Sequence, residues 1–250
     1  GKRKTTVHSA AMGSRIHLAA AALLLAFAVQ AVVGMLPLSA TWDEITHLPS
    51  GYTYLKTGEI VLNRQHPPLV KLLCALPLLA LRPRADFLDP NLLETPGYEW
   101  VYGTDFLYRN DADRLLFWGR LPVVALGTLL GLYVFLWAAA LFGPAGGILA
   151  LALYAFCPSF LAHTHLVTMD VGLACFATMA FYHLWRGQDL AAGAAPGAAL
   201  APKVSARALL PAAGAPGLAG GFSPRGGRRG GPSPPGPAPP LSPPPPPPGH

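Results

Sequence analysis

Residues 16-IHLAAAALLLAFAVQAVVGML-36 are apolar apart from His17 at one edge and Gln30 inside. A helix needs roughly 20 such residues to cross the core of a bilayer, whereas the apolar region of a secretory leader has only about 7–15. Leu38-Ser39-Ala40, just beyond the run, is a poor small-x-small cleavage site. The run therefore reads as a retained membrane span. Lys2, Arg3, Lys4 and Arg15 precede it, and basic residues beside a span stay on the cytoplasmic side. Residues 1–15 are thus expected in the cytoplasm, and the chain from Trp42 onward beyond the membrane.

Three further apolar runs, at 121–142, 148–162 and 171–185, extend the pattern, with Gly143-Pro144-Ala145-Gly146-Gly147 as a tight connection after the first of them. Phe117, Trp118 and Trp185 are aromatic groups suited to membrane interfaces. Counting crossings places the loops 37–114 and 163–170 on the same, non-cytoplasmic side. The expected fold is all-α: a multi-pass membrane domain over 16–186 with about four spans and a large first outer loop. Between spans, Pro68 to Leu81 is apolar but too short to cross. It reads as an interfacial or re-entrant helix whose Lys71 snorkels to the headgroups.

Composition agrees with a membrane reading. Hydrophobic residues make up 52% and charged residues 12%, against about 25% charged in soluble domains, so these numbers alone argue against a soluble single-domain enzyme. Ten of the 12 acidic residues lie between Asp43 and Asp113. The net charge of +6 comes from the basic start and from Lys203, Arg207, Arg225, Arg228 and Arg229, a distribution that fits headgroups and no nucleic acid. Cys74, Cys157 and Cys175 are odd in number and set in apolar stretches, which fits neither a disulfide framework nor a zinc site.

From Gly187 to His250 the chain holds 17 prolines and 13 glycines, and no acid follows Asp189. Such a segment cannot bury a core and is expected to be disordered. The abrupt change after Arg186 reads as a shifted frame or misplaced gene end, and Gly1 in place of Met as the mark of a fragment.

The polar residues that carry chemistry sit in the two outer loops. Asp43 and Glu44 are either the solvated start of a loop, a general base at the bilayer surface or a metal-binding pair. Arg64, His66 and Lys71 form either a solvated rim or a basic cluster for a phosphate, with the double proline after His66 stiffening the turn. Asp170 either caps the fourth span or serves a site at its mouth. His47, His163 and His165 complete the candidates. The spacing of His163 and His165 is not by itself a metal signature, and a divalent metal is the one cofactor left open.

Taken in order, Asp43-Glu44, His47, Gly51-Tyr52, Gly58, His66-Pro67-Pro68-Leu69 and Lys71, then Gly119-Arg120-Leu121-Pro122, then Pro158, Leu161-Ala162-His163 and Leu166-Val167-Thr168-Met169-Asp170 resemble the start of a GT-C superfamily glycosyltransferase. The pattern is most similar to the protein O-mannosyltransferase and lipid A aminoarabinose transferase group, whose bacterial members are phospholipid carrier-dependent glycosyltransferases. The resemblance covers roughly residues 15–186. It implies a bacterial plasma-membrane enzyme that moves a sugar, such as mannose or a related hexose, from a polyprenyl-phosphate carrier to an acceptor hydroxyl with inversion. The acceptor is a protein, lipid A or another glycan. The resemblance makes Asp43 the base, with Glu44 beside it, and Asp170 a residue that shapes the site. Arg64, His66 and Lys71 are then the candidates to hold the leaving phosphate, and His66 stands where the aminoarabinose branch usually carries Lys. Family members have many more spans, so a four-span piece alone is expected to be inactive. Two other classes compete: a transporter or flippase subunit using Asp170, His163 and His165 along an ion or lipid path, and a membrane anchor presenting the Pro-rich tail to a cytoplasmic partner.

Overall fold

The computed structural model describes residues 2–188, with side chains from Ser14 onward. The tail beyond Gln188 and the side chains of Lys2, Arg3 and Lys4 lie outside the described residues, and with them the reading of a disordered, partner-binding tail. Among the described residues the structure is all-helical, with no strand. The helices are α1 (Lys2–Met35), α2 (Trp42–Thr57), α3 (Pro68–Ala75), α4 (Leu78–Leu81), α5 (Tyr98–Tyr108), α6 (Ala112–Ala155), α7 (Pro158–Thr164) and α8 (Asp170–Trp185). Two of them contain stretches long and apolar enough to cross a membrane, Ser14–Met35 and Ala112–Ala155.

α6 is not one straight rod. A straight helix would hold Gly127 and Tyr154 about 40 Å apart at 1.5 Å per residue. Instead Tyr154 Oη donates to the Gly127 carbonyl at 2.6 Å. The reversal is at Gly143, whose φ of 78° and ψ of 173° are non-helical. Residues with a Cβ rarely take such a positive φ, and Pro144 then opens the returning limb with its φ already set for a helix. Residues 112–142 and 144–155 thus form a helical hairpin.

The returning limb stops at Ala155, and Phe156-Cys157 leave the helix before α7 begins at Pro158. Pro158 has no N–H to continue the ladder, so the apolar run 148–162 is divided between two helices. Gln30, the polar residue inside α1, is used at this break: its Nε2 donates to the carbonyls of Ala26 and Ala155 at 3.1 and 3.4 Å.

The first limb of α6 packs between α1 and α8, α2 packs on α3 and α5, and α3 joins that outer group to α6. The α2–α5 crossing is close because Gly103 lies against the Ile45 carbonyl, where a Cβ would sit 1.8 Å from the oxygen. The apolar run from Pro68 to Leu81 is two short helices, α3 and α4, interrupted at Leu76-Pro77. Lys71 does not snorkel from it, because its side chain is fully buried between α2 and the chain ahead of α3. On α1 Leu18, Leu25, Val29 and Val33 are each more than half exposed, and they form an apolar stripe at helical spacing.

Candidate functional site

The site begins at the N-terminus of α2. Thr41 caps the helix and Glu44 reaches back to it: the Thr41 backbone N–H and its hydroxyl both donate to Glu44 Oε2 at 3.0 Å. This capping box satisfies donors that a helix start leaves open. Glu44 also accepts from Arg120 on α6, which grips it with two parallel bonds, Nε to Oε1 and Nη2 to Oε2, both 2.8 Å. The two side chains are 2% and 0% exposed.

The remaining donors of Arg120 go to the chain that links α1 to α2. Nη1 donates to the Met35 and Leu38 carbonyls at 3.1 and 2.9 Å, and Nη2 to Ser39 at 2.9 Å. All five guanidinium N–H groups therefore have an acceptor. The loop before α8 closes the arrangement, with Val167 N–H donating to Glu44 Oε1 at 3.0 Å. Burial pushes the Glu44 carboxyl up, but the Arg120 bond and charge, with the Val167 and Thr41 donors, outweigh it and hold the group below its ordinary value of 4.5. Glu44 is thus an ionised structural clasp.

Its neighbour Asp43 is exposed. One turn further along α2, His47 is buried and its Nδ1 meets the Val167 carbonyl at 3.1 Å. A carbonyl only accepts, so Nδ1 carries the proton and Nε2 keeps its lone pair. Burial depresses the imidazole to about 4 against the opposing pull of the Val167 bond; Lys71 and His66 depress it further and Asp43 raises it. His47 is therefore neutral at pH 7. The His66 ring stands edge-on to it, with centroids 5.0 Å apart. Asp43, His47 and His66 thus gather at one place, with Lys71 close enough to act on His47 electrostatically.

Arg64, His66 and Lys71 do not form one cluster. Arg64 points outward to Glu94 at 3.0 Å, with side chains 54% and 82% exposed, a pair that contributes at most about 1 kcal/mol. Lys71 points inward, donating to the Asn63 carbonyl and, at 3.4 Å, to Tyr54 Oη. Tyr54 in turn donates to the Leu62 carbonyl. Lys71 thereby holds the left-handed turn at Asn63, φ 44°, which aims the following Arg64, Gln65 and His66.

Burial depresses Lys71 to about 7 from 10.5, with Glu99 pulling the other way. Between pH 7 and 10.5 the unfolded chain thus binds more protons at this residue than the folded one, so its contribution to stability rises with pH across that window. Lys71→Met is expected to flatten that rise and to loosen the 59–67 turn. Thermal unfolding of both proteins from pH 7 to 10.5 checks it, and parallel pH profiles would refute it.

Asp170 is exposed at the start of α8 and His163 is exposed on α7. His165 packs its ring against Gly34 of α1, where a Cβ would meet its Cε1 at 2.5 Å. All three fall within the stretch 163–170, whose Val167 backbone bonds Glu44 and His47 of α2. Among the described residues no group of three or more His, Cys, Asp and Glu side chains is placed to hold a metal ion. The residue that sequence reasoning left off the list of site candidates is Arg120. Two signals pointed to it: an Arg heading a long apolar run, and Thr41-x-x-Glu44, a capping-box pattern that commits Glu44 and leaves Asp43 as the accessible acid.

A family model described as dolichyl-phosphate-mannose-protein mannosyltransferase matches residues 112–214. The matched stretch contains Arg120, Val167 and Asp170 and continues past Arg186; the motifs from Asp43 to Lys71 precede it. No curated protein matches the chain. No solved structure matches it either.

Proposed function

We propose that the chain is part of a multi-pass membrane glycosyltransferase of the GT-C type, which transfers a hexose from a polyprenyl-phosphate carrier to an acceptor hydroxyl on the outer face. One observation carries this reading: Arg120 and Val167, both inside the family-matched stretch, converge on Glu44 and so fix the helix that presents Asp43. The apolar stripe on α1 and the apolar hairpin of α6 support a bilayer setting, in which such faces meet lipid or further helices. On this reading α8 and the returning limb of α6 complete the crossings, with the N-terminus in the cytoplasm of a bacterial plasma membrane.

In the proposed chemistry, Asp43 takes the proton of the acceptor hydroxyl as that oxygen attacks the anomeric carbon. The bond from that carbon to the carrier phosphate breaks with inversion, and the phosphate leaves with the electron pair. A phosphate leaving group needs cationic and hydrogen-bonding stabilisation more than an acid. His66, beside His47, is the first candidate for this, Arg64 joins it only by leaving Glu94, and Lys71 acts through Asn63 by holding the turn that carries both. Asp170 borders the site from the second loop.

The test is transfer by membranes containing the full chain, supplied with polyprenyl-phosphate-linked radiolabelled mannose. Label passing to protein, lipid or glycan above control membranes is the expected result. Label that remains on the carrier with every acceptor class would overturn the reading.

A further inference from the structure

At the edge of the Asp43 cluster, an indole pair spans α2 and α5. The close crossing of α2 and α5 at Ile45 and Gly103 brings Trp42 and Trp100, each three residues earlier on its helix, into contact. Their ring centroids are 5.4 Å apart and the planes are inclined by 32°. Trp42 is 69% exposed, an unusual position for so large an apolar surface. Trp100 Nε1, shielded from solvent, has no hydrogen-bond partner, and leaving such a donor unmade is unfavourable.

In the sequence, Asp43 follows Trp42 and Glu99 precedes Trp100. Gln65 Nε2 donates to Glu99 Oε1 over a long 3.4 Å, and Gln65 immediately precedes His66. An exposed flat ring, with carboxylates on the adjoining residues and an amide bonded to one of them, offers the chemistry that recognises a sugar. The C–H face of a pyranose lies on indole, and its equatorial hydroxyls donate to carboxylates and accept from amides. A lipid headgroup layer favours Lys and Arg beside its tryptophans. Here both immediate charged neighbours are acids.

We infer that Trp42 and Trp100 form a stacking platform for a pyranose ring at the rim of the Asp43–His47–His66 cluster. Gln65 and Glu99 take its hydroxyls, and Trp100 Nε1–H, which has no partner in the fold, is a further donor for a sugar oxygen. The inference rests on the glycosyltransferase reading for its place beside the reacting bond, and it applies to the sugar of either donor or acceptor.

Full chain labelled with 5-fluorotryptophan, in nanodiscs, gives separate fluorine signals for the five tryptophans. Trp42→Phe and Trp100→Phe identify the two of interest. Titration with methyl α-D-mannopyranoside is expected to shift both signals saturably. Trp42→Ala, at an exposed position, should leave the fold intact and weaken that binding about tenfold. Signals unmoved by the glycoside overturn the platform, and so does broadening of Trp42 by a nitroxide-headgroup lipid without any glycoside response, which marks a bilayer anchor. The transfer assay separates the two ideas. Transfer with no glycoside response sinks the platform alone, whereas a saturable response without transfer keeps the platform and removes the glycosyltransferase reading. Where both hold, a raised KM for polyprenyl-phosphate mannose in Trp42→Ala identifies the donor sugar as the occupant, and a raised KM for the acceptor identifies the acceptor.

Discussion

Arg120→Met is expected to lower stability by about 3–5 kcal/mol, the usual result of removing one partner from a buried ion pair. The loss exceeds one contact, because Glu44 stays buried and ionised while the carbonyls of Met35, Leu38 and Ser39 lose their donors together. Arg120→Lys should recover little: an ammonium offers three donors from one point, and the site uses a planar fork of five. The pH dependence has a definite sign. A carboxyl held below 4.5 in the fold contributes stability that is complete above its unfolded value and lost as pH falls through the folded one. The wild-type chain should therefore lose stability on acidification below about 4.5 with a limb that the Met variant lacks. Thermal unfolding in detergent from pH 3 to 7 reads both effects. An unfolding temperature unchanged by Arg120→Met would show that the pair does not hold the fold.

Asp43→Asn is expected to cut sugar transfer by about 10²–10⁴-fold, the contribution of a positioned general base, while membrane insertion and unfolding temperature stay near wild type. The separation follows from the geometry. Asp43 is exposed, and the bonds that start α2 belong to Thr41 and Glu44, so the amide alters the chemistry without opening the helix. Glu44→Gln should do the opposite, losing stability first and transfer only as a consequence. Undiminished transfer by Asp43→Asn in membranes of the full chain removes Asp43 from the role of base.

How far the sequence could be read depended on whether a feature was local. The α1 run and the Gly143-Pro144 reversal are patterns of adjacent residues, and windows of adjacent residues reveal them. The division of 148–162 was less visible because a hydropathy window sums over Cys157-Pro158 and registers only their apolar character. Within Asp43-Glu44, the local pattern Thr41-x-x-Glu44 marks the capping acid but not the partner it binds. The difference between the two acids comes from the roughly 100° between successive helical residues, which points one acid outward and the other at an arginine 76 residues away. Lys71 was misplaced for a similar reason. An amphipathic reading of Pro68–Leu81 sends a lysine to the headgroups, whereas the acceptors it uses, Asn63 and Tyr54, lie on segments that only the folded chain brings beside it.

That separation of 76 residues also sets a clock. A ribosome working at about 5–20 residues per second makes Arg120 roughly 4–15 seconds after Glu44. Throughout that interval the carbonyls at the end of α1 and the carboxylate of Glu44 exist without the guanidinium that later joins them. The start of α2 thus remains unlocked while most of the first outer loop is synthesised, and it closes only when the first limb of α6 arrives. A nascent chain arrested before that limb would present residues 44–54 to a protease, and one arrested after it would bury them.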